Sequence, residues 1–116
     1  MKRAPGAGNQ RELRVMDLLA EEGWLCGSRR HIGGAGDILA IRDLTAMPTS
    51  ISLRPLLIEV KSTTRSAWVA FGPADRQELI ETAKRHGAEA WLYWWPPRKS
   101  LQRIHYSQFP ANKAAA

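Results

Sequence analysis

Apolar residues recur along this chain in two rhythms. Leu13, Met16, Leu19 and Ala20 fall at helical spacing, whereas residues 38–41 and 56–58 are unbroken apolar runs of strand length. The first rhythm predicts a helix from Asn9, a good cap, with Glu12 three residues later as in a capping box. Gly23 is placed to end it. Residues 24–27 read as a short strand, and residues 28–36 as a glycine-rich basic loop. Residues 37–42 form the next strand, whose apolar run predicts a central position covered on both faces. Residues 43–52, with Pro48, read as a hairpin loop, residues 54–62 as a strand and residues 67–71 as a weaker extended segment. Pro73 opens a second long helix from its first turn, with Leu79, Ile80 and Ala83 as its stripe. Lys84, Arg85 and His86 suit its negative end, and Gly87 stops it. Residues 90–95 form a strand that Pro96 and Pro97 end, and a last strand runs from Leu101 to Tyr106. The order α-β-β-β-α-β, with a final β, predicts an α/β fold in which a small mixed β-sheet is flanked by helices.

A length of 116 residues gives one domain with a single core. Residues 1–8 read as a basic arm, residues 9–110 as the domain and residues 111–116 as a tail. No apolar run approaches the ~20 residues of a membrane span. The basic pair Lys2-Arg3 has no apolar stretch behind it, which argues against a secretory signal. The lone Cys26 fits a reducing cytoplasm. A net charge of +6 and a pI near 10.1 favour a polyanionic partner, although charge says nothing about sequence preference.

The chemistry is carried by Asp37, Glu59 and Lys61. Strand alternation puts Leu56, Ile58 and Val60 on a wholly apolar face, and Leu57, Glu59 and Lys61 on a face that begins apolar and ends charged. Two carboxylates plus a main-chain carbonyl would hold a magnesium ion that keeps several waters. Asp37, Glu59 and the Val60 carbonyl are the candidate ligands. Lys61 is placed to orient a water or to offset charge developing on a phosphorane. His31, His86 and His105 are dispersed, which argues against zinc. The same residues also fit a plainer picture. Glu-x-Lys on one strand face is a common surface salt bridge, and aspartate after glycine commonly caps a turn. Glu12 stands four and three residues from Met16 and Leu19, so it either completes the capping box or brings a carboxylate near the buried stripe.

These residues resemble the archaeal-type Holliday junction resolvases, within the PD-(D/E)XK nuclease superfamily. The similarity spans roughly residues 9–95. It rests on Arg11-Glu12-Leu13, Gly23-Trp24, Gly36-Asp37-Ile38-Leu39-Ala40 and Ile58-Glu59-Val60-Lys61-Ser62, then on a helix carrying Gln77, Gly87 and an apolar strand. The resemblance implies a restriction-endonuclease-like core and a Mg2+-dependent endonuclease that resolves four-way junctions, with Mn2+ able to substitute. It implies a catalytic set of Glu12, Asp37, Glu59 and Lys61, with the helix glutamate assisting at the metal. It also implies a symmetric homodimer, branched double-stranded DNA as substrate, and the cytoplasm of a prokaryotic or phage-infected cell. A basic, serine-containing loop precedes the family's aspartate, and Ser28, Arg29 and Arg30 are its nearest match. Arg3, Arg65, Lys84 and Arg85 are further candidate phosphate contacts, and Gln77 faces either the site or solvent. Trp91, Tyr93 and Trp95 share a strand face that suits an interface or ordinary core packing. Where the family usually has proline before the aspartate, this chain has Gly36. The alternatives are a PD-(D/E)XK nuclease acting on flaps, ends or duplex, and a catalytically inactive nucleic-acid-binding module.

Overall fold

A computed structural model describes residues 7–29, 34–42 and 54–111, with side chains from Gln10 onward. Helix α1 (Ala7–Glu21) leads into strands β1 (Trp24–Ser28), β2 (Ile38–Arg42) and β3 (Leu56–Lys61). A short helix α2 (Ala67–Ala70) and the longer α3 (Pro73–Arg85) follow, then β4 (Glu89–Trp94), β5 (Gln102–His105) and a single 3-10 turn, Tyr106–Gln108. The five strands lie in one sheet in sequence order. All neighbours are antiparallel except β3 and β4, which run parallel and are joined through α2 and α3. The sheet is thus mixed and flanked by helices, as the sequence pattern predicts.

Each face of the sheet has its own core. Val15 and Leu19 of α1 close over Ile38, Ala40, Leu56, Ile58, Val60 and Tyr93. On the other face Leu79 and Ala83 of α3 pack with Leu57, Phe71, Ala90 and Leu92. The expected alternation along β3 therefore holds, with Leu56, Ile58 and Val60 under α1 and Leu57 under α3.

Several expectations are corrected. Helix α1 starts at Ala7, not at Asn9, so Asn9 lies inside the helix and does not cap it. The buried stripe centres on Val15 and Leu19, while Leu13 is 51% exposed and Ala20 is exposed. Residues 67–71 are not extended. Ser66 caps a helical turn by accepting the Trp68 amide, and the buried Arg76 guanidinium binds the carbonyls of Trp68 and Phe71. That cation gathers carbonyls which would otherwise lack partners at a helix end. Among the described residues a helix covers β2 on one face only: Leu39 and Ile41 are each 43% exposed, because α3 packs over β3 and β4. Tyr93 and Leu92 are core residues, with Trp91, Trp94 and Trp95 half-buried around them. The hairpin loop read at residues 43–52 lies outside the described residues. Among the described residues no helix is long and apolar enough to cross a membrane.

Candidate active site

Asp37 stands where the glycine-rich segment enters β2, and it grips β3 on both sides of Glu59. Its amide donates to the Ile58 carbonyl at 2.8 Å. Its carboxylate oxygen Oδ2 accepts the Val60 amide at 2.8 Å. Gly36 makes this approach possible. Its φ is +87°, and an added Cβ would stand 2.7 Å from Leu57 Cδ1. Proline, locked near −65°, cannot adopt that conformation, which accounts for the departure from the family pattern.

Glu59 and Lys61 face the α3 side, as strand alternation requires, and Lys61 Nζ lies 3.3 Å from Glu59 Oε2. Asp37 and Glu59 line a cleft of about 250 Å3 together with Gly34, Ala35, Gly36, Asp75 and Glu78. Burial, and then repulsion from Asp37, push the Glu59 carboxyl up to about 7. Lys61 opposes this shift, and so the direction decides between two readings. In an exposed salt bridge the lysine would win and the carboxyl would fall. Here desolvation and a second carboxylate win, a pattern found at functional clefts. Asp75 raises Glu59 further.

Nothing in the sequence pattern singles out Asp75 and Glu78. Asp75, an acidic residue in a helix's first turn, has an ordinary explanation in the helix dipole, and Glu78 on the next turn reads as a solvated helix face. The available signal is topological: a helix that crosses over from β3 begins near the C-terminal end of that strand, where α/β sites gather.

The remaining candidates separate by position. Helix α1 packs on the opposite face of the sheet, and Glu12, half-buried there, does not line the cleft. Its end of α1 does reach the rim near Lys61. Trp95 donates its amide to the Lys61 carbonyl at 2.8 Å, and the Arg11 and Arg14 guanidinium groups lie over its ring. Arg29 donates its amide to the Asp37 carbonyl at 2.8 Å, so it adjoins the site. Ser28 ends β1 beside it and lines an apolar groove with Leu25, Leu39 and Ile41. The Gln77 amide turns to Glu81 at 2.9 Å and is not in the cleft. Arg65 is exposed in the loop after Lys61. Lys84 and Arg85 sit in the last turn of α3, roughly 14 Å along the axis from Asp75. The structure does not bring these two to the site. Arg3 and Arg30 lie outside the described residues.

The polar side chains lining the cleft offer only oxygen donors, and two mutually repelling carboxylates are what a hard divalent cation neutralises. Among the described residues no three His, Cys, Asp or Glu side chains converge into a ready metal cage. Magnesium needs fewer, since it keeps several waters.

No protein-family model matches this sequence, and no curated protein matches it. Among solved structures, the Hjc Holliday junction resolvase of Archaeoglobus fulgidus, an archaeal hyperthermophile, is similar with a TM-score of 0.67. The match covers 93% of this chain and 80% of that one, at 20% sequence identity. The chain shares the fold of that resolvase. A resolvase fold at this identity carries architecture, and function has to be argued from the cleft itself.

Proposed function

We propose that this chain is a metal-dependent endodeoxyribonuclease that resolves four-way DNA junctions as a homodimer. The observation that carries the proposal is the placement of Asp37. It is hydrogen-bonded to the residues flanking Glu59, so that two carboxylates share one cleft with Lys61 beside them. The resolvase fold of the Archaeoglobus protein and the basic charge support the choice of substrate.

Asp37, Glu59 and the Val60 carbonyl would hold Mg2+, with Mn2+ as a substitute. The bound ion would polarise the scissile phosphate and lower the pKa of an attacking water. Lys61 offsets negative charge that develops on the phosphate oxygens. Its ion pair with Glu59, 3.3 Å long, holds the ammonium beside the carboxylates. Glu12 assists from the α1 side of the rim. Arg29 and Ser28 border the site and contact the DNA backbone, with Arg65 on the loop beyond Lys61.

A four-way junction needs two matched cuts, and a single chain brings one Asp37–Glu59 pair, so a two-fold dimer follows from the substrate. The bare face of β1 and β2 is the surface for the second copy. Leu25 is 69% exposed there, beside Leu39 and Ile41, and the groove they line is about 750 Å3.

The test is cleavage of a labelled four-way junction beside a linear duplex, with magnesium or EDTA. Paired cuts in the junction alone, lost with EDTA, are expected. Equal cutting of both substrates would leave a nuclease without junction preference. Binding without cutting of either would point to a DNA-binding module.

A further inference from the structure

Trp95 follows β4 at the same rim as the cleft, tied by its amide to the carbonyl of Lys61 at 2.8 Å. The ring is half-buried against the core under α1. Arg14 Cζ lies 4.6 Å from the ring centroid and Arg11 Cζ lies 5.3 Å from it. Two cations thus share one indole, an arrangement unlike that of Arg103 or Arg76. Arg103 is answered by Glu22, with both guanidinium nitrogens on the carboxylate at 2.7 and 2.6 Å. Arg76 is buried on main-chain carbonyls. Neither Arg11 nor Arg14 has a carboxylate partner among the described residues.

Like charges held side by side repel, and among the described residues no carboxylate lies within ion-pair distance of either. The stack fixes the plane of each guanidinium through the attraction of the ring face. A guanidinium held over a ring face keeps its N–H fork, the geometry that matches the oxygens of a phosphate. It also occupies a face on which an unpaired base could otherwise stack.

We infer that Arg11 and Arg14, oriented by Trp95, form a clamp for a phosphodiester of the DNA backbone at the rim beside Lys61. The inference rests on the nuclease reading above and adds to it how the strand is held next to the cleft. The Trp95 amide is hydrogen-bonded to the Lys61 carbonyl, so the clamp and the lysine belong to the same end of the sheet. The clamp positions DNA and reads no base.

The experiment measures junction affinity across a salt series from roughly 50 to 200 mM, the range over which phosphate binding dominates. The Asp37→Asn protein serves as the non-cleaving parent, and fluorescence anisotropy is the readout. The double substitution Arg11→Ala with Arg14→Ala is expected to reduce the slope of log affinity against log salt by about 0.9, the value for one phosphate no longer neutralised. Arg14→Lys keeps the charge and is expected to keep the slope while weakening affinity, since an ammonium lacks the planar fork. A double variant with the parent's slope and affinity overturns the clamp while leaving the nuclease reading standing. A parent that binds no DNA at the lowest salt overturns the nuclease reading, and the clamp falls with it. Cleavage by the unmodified protein, assayed separately, tells these two failures apart.

Discussion

Leu39 and Leu57 pair directly across β2 and β3, yet one is 43% exposed and the other 2%. The difference is one helix. On the α1 side, Val15 and Leu19 cover β2 and β3 together. On the opposite side α3 covers β3 and β4 and stops, so the same sheet is half dry core and half open surface. The open side holds the carboxylate chemistry. Glu59 and Lys61 emerge there, between the first turn of α3 and the Gly34–Asp37 segment. Incomplete cover is what lets a carboxylate be desolvated enough to shift its pKa and still face a cleft. The closed side supplies stability, and the open side gives up some of it for a site.

Substitutions can break this division at chosen points. The largest effect is expected from Asp37→Asn on the open side. Single-turnover junction cleavage should fall at least about 10³-fold, as befits loss of a group that organises charge in the transition state. Stability should hold or rise, since repulsion against Glu59 disappears. Activity within tenfold of the unmodified protein would remove Asp37 from the chemistry.

On the closed side, Leu19→Ala should cost about 2–5 kcal/mol in urea denaturation, the usual range for a large-to-small change in a packed core. A cost under about 1 kcal/mol would mean that α1 does not form the core described. Gly36→Ala strikes the junction of the two sides. A Cβ there meets Leu57 and must adopt a positive φ, so about 2–4 kcal/mol is expected in the same assay.

Glu59 makes the open side pH-sensitive. Its carboxyl sits at about 7 in the folded protein against an ordinary 4.5, so the folded chain holds that proton more tightly. Stability is therefore greatest with respect to this group below pH 4.5 and declines as pH rises through 7. The total change is roughly 3 kcal/mol. Denaturation in EDTA at pH 5 and pH 8, for the unmodified chain and Glu59→Gln, measures it. The glutamine variant should lose this contribution, and an unchanged difference between the two pH values would assign it to other groups.

The smallest effect on folding should come from Leu39→Ser on the bare face, within about 1 kcal/mol for the monomer. Sedimentation should nonetheless show weaker self-association. An unmodified chain that sediments as a monomer at micromolar concentration would free that face from the dimer role.

Sequence pattern made the strands legible because burial requires apolar runs, and it made Asp37, Glu59 and Lys61 visible because they interrupt those runs. Gly23, Pro73 and Gly87 marked helix ends correctly, since their backbone chemistry is local. What escaped depends on parts distant in the chain. Val15 faces the core because of where the sheet lies. The turn at residues 67–70 is held by Arg76, and β2 is bare because α3 sits elsewhere. Asp75 and Glu78 join the site only after the β3–β4 crossover brings the start of α3 to Glu59.

That crossover also sets a timetable. Strands β1 to β3 are antiparallel neighbours, as are β4 and β5, so each group can form from nearby chain. The parallel seam between β3 and β4 pairs Glu59 with Leu92 and closes a much longer loop, which makes it the slow pairing. During synthesis the first group, with Asp37, Glu59 and Lys61, emerges before β4 and Trp95. Under the proposed function, cutting competence is therefore expected only when the seam shuts, late in folding.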